Sequence, residues 1–250
     1  MGELLKKRPH TPVKLLKKRY GYTNLLFQKF LKRVREKLFI KSFSRFLITQ
    51  TPSCNFGRNM VSFVKKDKET IMEANILLWI QENLRADWLT PIVKCITYLG
   101  NGGIFWIALT LLLLILPKYR KVGAMSATAL IFDLLSVNVL VKNLVARPRP
   151  YTQIEGLINI IGEQSDFSFP SGHTAASFAT VTVLLLCAPK KLSIPMTVLA
   201  VLISLSRLYV GVHYPTDVLG GVVIGVVCGV AAVYFVKWIC QKIEKKKRTV

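Results

Sequence analysis

Long apolar segments fill the second half of the chain, and they restrict its possible folds more than any other feature. A helix needs about 20 apolar residues to cross the hydrocarbon core of a bilayer. The strong segments cover residues 104–116, 122–141, 171–188, 192–210 and 215–239. The first of them is short, so we expect it to borrow residues from its flanks. The sequence therefore predicts an all-α fold, a polytopic transmembrane helix bundle of five to six spans.

Composition favours a membrane protein over a soluble one. Hydrophobic residues make up 52% of the chain, yet its formal net charge is +22. A soluble domain of this length rarely has a core that can bury so much apolar surface. Basic flanks are attracted to anionic lipid headgroups by about 1 kcal/mol per Lys or Arg. We therefore expect membrane lipids as partners and no nucleic acid, the other usual partner of a basic chain.

The N-terminal region is strongly basic. Apolar residues between Leu26 and Ile40 recur at roughly helical spacing among lysines and arginines, which predicts an amphipathic helix lying in the membrane interface. A solvated basic tail is the alternative. Residues 74–99 are apolar but interrupted by charges, which favours a helical hairpin half-buried at the membrane surface. Three regions are predicted: a basic N-terminal region (1–73), a membrane-embedded domain (74–241) and a basic C-terminal tail (242–250).

Basic residues in the short connections indicate an orientation. They cluster at residues 118–121, 190–191 and 242–248, and by the positive-inside rule this side is cytoplasmic. The opposite segment ends carry unusual polar residues, which we expect at the extracytoplasmic face of a cell membrane. Five spans would also put the basic N-terminal region outside, against the same rule. Either residues 74–99 enter or cross the membrane, or the orientation is reversed.

Three polar clusters border the apolar segments on that face, at residues 142–150, 170–173 and 206–217. Lys142, Arg149 and Arg207 are cations at a membrane boundary, where each must stay hydrated or find an anion. Their convergence suggests an anion with more than one charge, and planar Arg suits bidentate binding of phosphate oxygens. Ser171 occupies an N-cap position with Gly172 beside it, so backbone N–H groups would point at the same anion. These features predict a phosphate-binding site.

Two of the three histidines in the chain lie in these clusters. His213 and Asp217 are four residues apart, and a helix beginning near Pro215 would turn Asp217 back toward His213. A carboxylate on one ring nitrogen fixes the tautomer and leaves the other nitrogen free to attack. His173 then remains to protonate the leaving oxygen and to activate water.

The three clusters together resemble the three-part signature of the type-2 phosphatidic acid phosphatase superfamily. The matching patterns are Lys142-x6-Arg149-Pro150, Pro170-Ser171-Gly172-His173 and Ser206-Arg207-x5-His213-x3-Asp217. The resemblance covers roughly residues 75–240 for the general layout. Three stretches most resemble short bacterial members, which are often assigned as undecaprenyl-diphosphate phosphatases. They are the segment from Asn75 to Trp106, the Arg-Pro-Arg-Pro-Tyr run and the run Asp166-Phe-Ser-Phe-Pro-Ser-Gly-His173.

The resemblance implies a lipid phosphate or diphosphate phosphatase with a phosphohistidine intermediate, no cofactor and no metal. It assigns His213 as the nucleophile, Asp217 as the residue that orients it and His173 as the general acid. The phosphate-binding residues that it implies are Lys142, Arg149, Ser171, Gly172 and Arg207. The implied partner is a lipid phosphate substrate such as undecaprenyl diphosphate or a phosphatidic acid-like lipid.

Other functions remain open at this level. A lipid phosphotransferase would use the same chemistry with a second lipid as acceptor, and a non-catalytic membrane scaffold would rely on the basic N-terminal region. Mid-span Asp133 is expected to face the bundle interior with a polar or cationic partner or as a neutral acid, because an unpaired charge there is costly. The loop 151–169 is a candidate gate over the headgroup by its location alone.

Overall fold

The computed structural model describes the backbone of residues 56–248 and the side chains of residues 70–245. The predicted interfacial helix between Leu26 and Ile40 lies outside the described residues. Within them the fold is all-helical, as the apolar periodicity predicts. The helices are α1 (Phe56–Asn83), α2 (Leu89–Leu99), α3 (Ile104–Ile115), α4 (Arg120–Asp133), α5 (Lys142–Val145), α6 (Gly172–Cys187), α7 (Lys190–Tyr209) and α8 (Pro215–Arg248).

The number of membrane-crossing helices is close to the prediction. Three helical stretches in the described part of the chain are long and apolar enough to cross a membrane: Arg120–Thr152, Lys190–Tyr209 and Pro215–Lys245. The pair α2 and α3 makes a fourth if it is one bent span. Helix α6 is also apolar, but with 16 residues it is shorter than the helices that are counted as membrane-crossing. Many large apolar side chains point outward, as the lipid-facing surface of such a bundle requires.

The short apolar segment at 104–116 forms α3, and α2 would lengthen it if the two helices are one bent span. Helices α2 and α3 are bent by 48° at a break around Asn101–Gly103. Gly102 and Gly103 both have left-handed backbone angles there, with φ of 58° and 67°, which suits glycine. Residues 74–99 hold the end of α1, a turn at 84–88 and α2, and their expected position at the membrane surface stays a prediction.

Helix α1 lies at the end of the bundle where the polar clusters are. Gln81 Nε2 donates to the carbonyl of Gly156 at 2.9 Å, and Arg85 Nε donates to the carbonyl of Tyr209 at 3.0 Å. The side chains of Met72, Ile76 and Trp79 are exposed along one stripe of α1, a pattern typical of a helix in the membrane interface. Because α1 is continuous from 56 to 83, the change in composition at residue 73 is not a break in secondary structure.

Helices α6 and α8 form the centre of the bundle, and glycine allows their close approach. A Cβ added at Gly225 would lie 2.4 Å from the carbonyl oxygen of Ala175, and one added at Gly229 would lie 2.6 Å from that of Ala179. Small residues four apart let two backbones touch in this way. The N–H of Ser171 also donates to the carbonyl of Asp217 at 3.0 Å, which joins the starts of both helices.

A π-helical segment, Leu134–Val141, separates α4 from α5. Such segments are uncommon and are frequent at functional sites, because the wider turn redirects the side chains that follow. The residue that directly follows is Lys142, which is buried. The segment therefore sets the direction of the first cation in the predicted phosphate-binding site.

Candidate active site

The three polar clusters meet at one end of the bundle, although the chain separates them by dozens of residues. Nη1 of Arg149 lies 3.2 Å from Nε2 of His213, so the first and third clusters are in contact. A Cβ added at Gly172 would lie 3.7 Å from Nζ of Lys142, which brings the second cluster beside the first. Sequence reasoning is correct about this convergence.

His213 is buried in the connection between α7 and α8. Its Nδ1 lies 3.5 Å from Oδ2 of Asp217, and it makes no hydrogen bond with the residues that the structure describes. Catalytic hydrogen bonds are often long before substrate binds. Burial lowers the pKa of His213 to about 4, Arg207 and Arg149 act in the same direction, and Asp217 opposes them. The ring is therefore neutral at physiological pH, with Nε2 facing the cations.

Asp217 is held in place by several donors. Its Oδ2 accepts from the N–H of Tyr214 at 2.8 Å and from the hydroxyl of Ser168. Its Oδ1 accepts from Nη1 of Arg147 at 2.7 Å. The carboxylate is fully buried, and a buried charge is tolerated when its oxygens are satisfied in this way. Asp217 is thus positioned to orient the His213 ring.

Arg147 connects this carboxylate to helix α1. Its Nη2 pairs with Oε2 of Glu73, and its guanidinium lies over the ring of Tyr214, with Cζ 3.8 Å from the ring centroid. Glu73 also accepts from the backbone N–H of Thr216 at 3.0 Å. A chain of partly buried contacts therefore runs from α1 through Arg147 to Asp217 and His213.

Lys142 and Arg149 share one carboxylate, that of Asp166. Lys142 Nζ binds Oδ2, Arg149 Nη2 binds Oδ1, and Arg149 Nε donates to the Asp166 carbonyl at 3.0 Å. Burial works to raise the pKa of Asp166, but its contacts with Lys142 and Arg149 lower it to about 2. Asp166 is therefore ionised at any physiological pH.

Arg207 is a buried cation that has no acidic partner in the described part of the chain. Its side chain is 1% exposed, Nη1 donates to the hydroxyl of Thr97 at 2.8 Å, and Nε has no hydrogen-bond partner there. Burying a cation without a compensating anion is costly. It lies within electrostatic reach of Arg149 and Asp166. An anion bound beside these groups would give Arg207 its counterion.

Helix α6 begins at Gly172, as the Pro-Ser-Gly-His run predicts, with Ser171 at the N-cap position. The Ser171 hydroxyl does not cap the helix; it accepts from the hydroxyl of Thr174 at 3.1 Å. Since the N–H of Ser171 donates to Asp217, the N–H groups of Gly172, His173 and Thr174 are the ones left at the helix start. His173 Nε2 lies 2.9 Å from Oδ1 of Asn101.

A cavity of about 560 Å³ extends from this site between α3 and α4. Its polar end is lined by Lys142, Asp166, Gly172 and His173. Its remaining wall is mainly apolar and includes Ile107, Leu111, Leu114, Leu130, Ile131 and Leu134. A cavity with one charged end and one apolar end fits an amphiphile with an anionic headgroup.

Asp133 lines the same cavity from α4 and is 5% exposed. Its Oδ1 has no hydrogen-bond partner among the residues described. Asp133 therefore faces the bundle interior, as expected. Among the described residues, none forms an ion pair with it.

Several residues of the site are not predicted from the sequence. Glu73, Arg147, Ser168 and Thr97 look like ordinary boundary residues when each is considered alone. The signal that could have found Arg147 is its position inside the Lys142–Arg149 cluster, where a further cation needs a partner.

Comparisons with known proteins identify the family that this chain resembles. The family model described as PAP2 superfamily matches residues 118–240, which include all three clusters. Phosphatidylglycerophosphatase B of Bacillus subtilis is 30% identical over 194 residues, which cover 73% of this chain and 87% of that protein. Undecaprenyl-diphosphatase of Sulfolobus acidocaldarius is 36% identical over 120 residues, or 48% of this chain. The chain matches only 58% of the length of the Sulfolobus protein.

A solved structure has the same arrangement of helices. The crystal structure of LpxE from Aquifex aeolicus superposes with a TM-score of 0.57 at 30% sequence identity. The match covers 64% of this chain and 93% of the Aquifex protein. The two proteins therefore share a helical fold over about two thirds of this chain.

Proposed function

The chain belongs to the PAP2 superfamily, and we propose that it is a membrane-embedded phosphatase that acts on a lipid phosphate or diphosphate through a phosphohistidine intermediate. The observation that carries the proposal is the contact between Arg149 and the Nε2 side of His213. Arg149 also binds Asp166, which lines the charged end of a cavity whose other wall is apolar. The headgroup phosphate would occupy the charged end and the lipid tail the apolar part. Similar proteins are named for such substrates, undecaprenyl diphosphate and phosphatidylglycerophosphate.

The first chemical step forms a bond between His213 and phosphorus. Neutral Nε2 attacks the phosphorus, the bond from phosphorus to the leaving oxygen breaks, and His173 gives a proton to that oxygen. Burial and the nearby cations lower the pKa of His173 in the free protein, so this role requires that the bound anion raise it again. Lys142, Arg149 and Arg207 stabilise the charge on the phosphoryl oxygens, together with the N–H groups at the start of α6. Asp217 stabilises the positive charge that the His213 ring acquires.

The second step returns the enzyme to its starting state. His173, now neutral, takes a proton from water, whose oxygen attacks the phosphohistidine. The bond between Nε2 and phosphorus breaks, and inorganic phosphate forms. We propose that the reaction needs no divalent metal, since the cations of the site supply the positive charge.

We propose that the site faces the extracytoplasmic side. The connections at 118–121 and 190–191 and the basic end of α8 lie at the ends of the helices opposite the clusters, and the positive-inside rule makes those ends cytoplasmic. Labelling of a cysteine placed at the exposed position Glu163 in intact cells tests the orientation.

The function is tested with protein purified in detergent and EDTA, offered a panel of lipid phosphates and diphosphates. His213→Ala should abolish phosphate release, because the nucleophile is lost, whereas His10→Ala removes the imidazole outside the motifs and should retain it. Acid-labile, base-stable label from a ³²P substrate should appear on protein that keeps His213. Full turnover by His213→Ala contradicts the assignment.

A phosphotransferase uses the same first step and differs in the acceptor. Label that moves to a second lipid, with little free phosphate, would favour it. The apolar cavity is compatible with a second tail, so both products should be quantified in the same assay.

A further inference from the structure

We propose that Asp166 is the resident anion of the phosphate-binding site: an incoming phosphate displaces its carboxylate, and its return helps to expel the product phosphate. The inference rests on the proposed function for the identity of the displacing anion. The carboxylate binds Lys142 through Oδ2 and Arg149 through Oδ1. It thus occupies the donors that a bidentate phosphate would need.

The charges of the site leave room for a dianion. Lys142, Arg149 and Arg207 contribute three positive charges, and Asp166 contributes one negative charge. Two further carboxylates near the site, those of Glu73 and Asp217, are bound by Arg147 instead. Once the Asp166 carboxylate has turned away, a phosphate dianion meets these three cations without that carboxylate beside it, which matters because like charges at short distance repel strongly.

Asp166 is the partner in this cluster that has room to move. Its side chain is 47% exposed, against 8% for Lys142 and 6% for Arg149. It lies between the short helical turn Pro150–Thr152 and α6, in a stretch without regular secondary structure. The cations are enclosed, whereas the carboxylate can turn toward water. Exchange of one anion for another is therefore achieved by moving Asp166 and leaving the cations in place.

Because Asp166 must leave its cations first, it weakens the binding of any anion to the site. The apparent affinity equals the intrinsic affinity multiplied by the fraction of molecules in which Asp166 has turned away. Substrate recovers part of this loss through its lipid tail in the apolar cavity, but inorganic phosphate has no tail. Asp166 thus acts selectively against retention of the product.

The experiment is a measurement of inorganic phosphate binding to the purified full-length protein by calorimetry, without substrate. Asp166→Asn keeps the shape of the side chain and removes its charge, so phosphate should bind about tenfold more tightly, as expected when one charged hydrogen-bonded competitor is lost. Glu163→Gln removes a charge from an exposed position of the same loop and should bind phosphate like the unaltered protein. Asp166→Ala serves as a second variant with the same expected direction.

Unchanged or weaker phosphate binding in folded Asp166→Asn and Asp166→Ala would overturn the inference, since Asp166 would then merely hold the cations in place. The result is independent of the proposed function, because no turnover is required. If the protein hydrolyses lipid phosphates but these variants bind phosphate as before, the inference alone fails. If tighter binding appears without any hydrolysis, the anion exchange stands and the proposed function fails.

Discussion

Arg147 donates a hydrogen bond of 2.7 Å from Nη1 to Oδ1 of Asp217, the carboxylate that faces His213. Its other nitrogen pairs with Glu73. Neither contact reaches the cavity, so Arg147 is a positioning residue and not a catalytic one. The planar guanidinium can hold two carboxylates at once, which the point charge of Lys does not reproduce.

We therefore expect Arg147→Lys to lower kcat by about tenfold while KM changes little, because a misplacement worth about 1.4 kcal/mol in the transition state has that effect. Arg147→Gln should in addition raise the pH at which His213 titrates, since the charge of Asp217 is then less compensated. Arg120→Gln, at the other end of the bundle, is the matched control. A loss of stability in Arg147→Gln with no change in the titration would indicate a purely structural role.

The hydrogen bond between Thr97 and Arg207 gives a second prediction. Thr97→Val keeps the shape of the side chain but removes the hydroxyl that accepts from the buried guanidinium. Leaving a charged donor unsatisfied costs about 1–3 kcal/mol, so KM for a lipid phosphate should rise roughly tenfold, and Thr97→Ser should restore it. Thr90 lies on the same helix as Thr97, and its hydroxyl contacts the carbonyl of Ala86 and the hydroxyl of Tyr209. Thr90→Val should therefore lower the stability of the protein without raising KM.

The pKa of His213 predicts a titration far from the usual one. Burial lowers it to about 4 from an ordinary 6.5. In NMR spectra of ¹³C-labelled histidine, the signal that disappears in His213→Ala should keep its neutral position down to about pH 4. Asp217→Asn should move the midpoint lower still, because Asp217 opposes the effect of burial. A titration midpoint of His213 near pH 6.5 in the unaltered protein would show that the imidazole is not buried as described.

The same pKa determines the sign of a stability change. Between about pH 6.5 and pH 4 the unfolded chain binds a proton at this imidazole that the folded chain does not. The free energy of unfolding should therefore fall as the pH is lowered through that window. The decrease should be smaller in His213→Gln, measured by thermal unfolding in detergent at matched pH.

The sequence predicts those residues of the site that lie close together along the chain, within one polar cluster. The apolar segments define the helices, and each cluster falls at a segment end, so Lys142, His173 and His213 can be assigned to one face. The bend between α2 and α3 and the π-helical segment before Lys142 depend on how the helices pack, which hydropathy does not report. The sequence therefore predicts the lengths of the membrane-crossing helices less accurately than the positions of the three polar clusters.

The second layer of the site depends on long-range pairing and escapes such reasoning. Glu73 and Arg147 are 74 residues apart, and each is ordinary in its own segment. Asp166 stands in the run that supports the family resemblance, yet its contacts with Lys142 and Arg149 follow from the path of the loop between clusters. The role of each of these charged residues can be inferred only when its partner in the structure is known.

The contact between α6 and α8 provides the last prediction. An added methyl group at Gly225 would meet the carbonyl oxygen of Ala175 at 2.4 Å and the backbone nitrogen of Ala179 at 2.9 Å. Backbone atoms of a helix cannot turn aside, so Gly225→Ala must push α6 away from α8. Overpacking of this kind costs about 1–3 kcal/mol, and we expect the thermal midpoint to fall by several degrees.

Because α6 also carries Gly172 and His173 at its start, the same substitution should reduce kcat/KM even at temperatures where the protein is folded. Val227→Ala, at an exposed position of α8 close to Gly225, should change neither the thermal midpoint nor kcat/KM appreciably. Thermal unfolding and kinetics on the same detergent preparation separate the two effects. If Gly225→Ala had the stability and activity of the unaltered protein, the close approach of these helices would not be what aligns the second cluster with the other two.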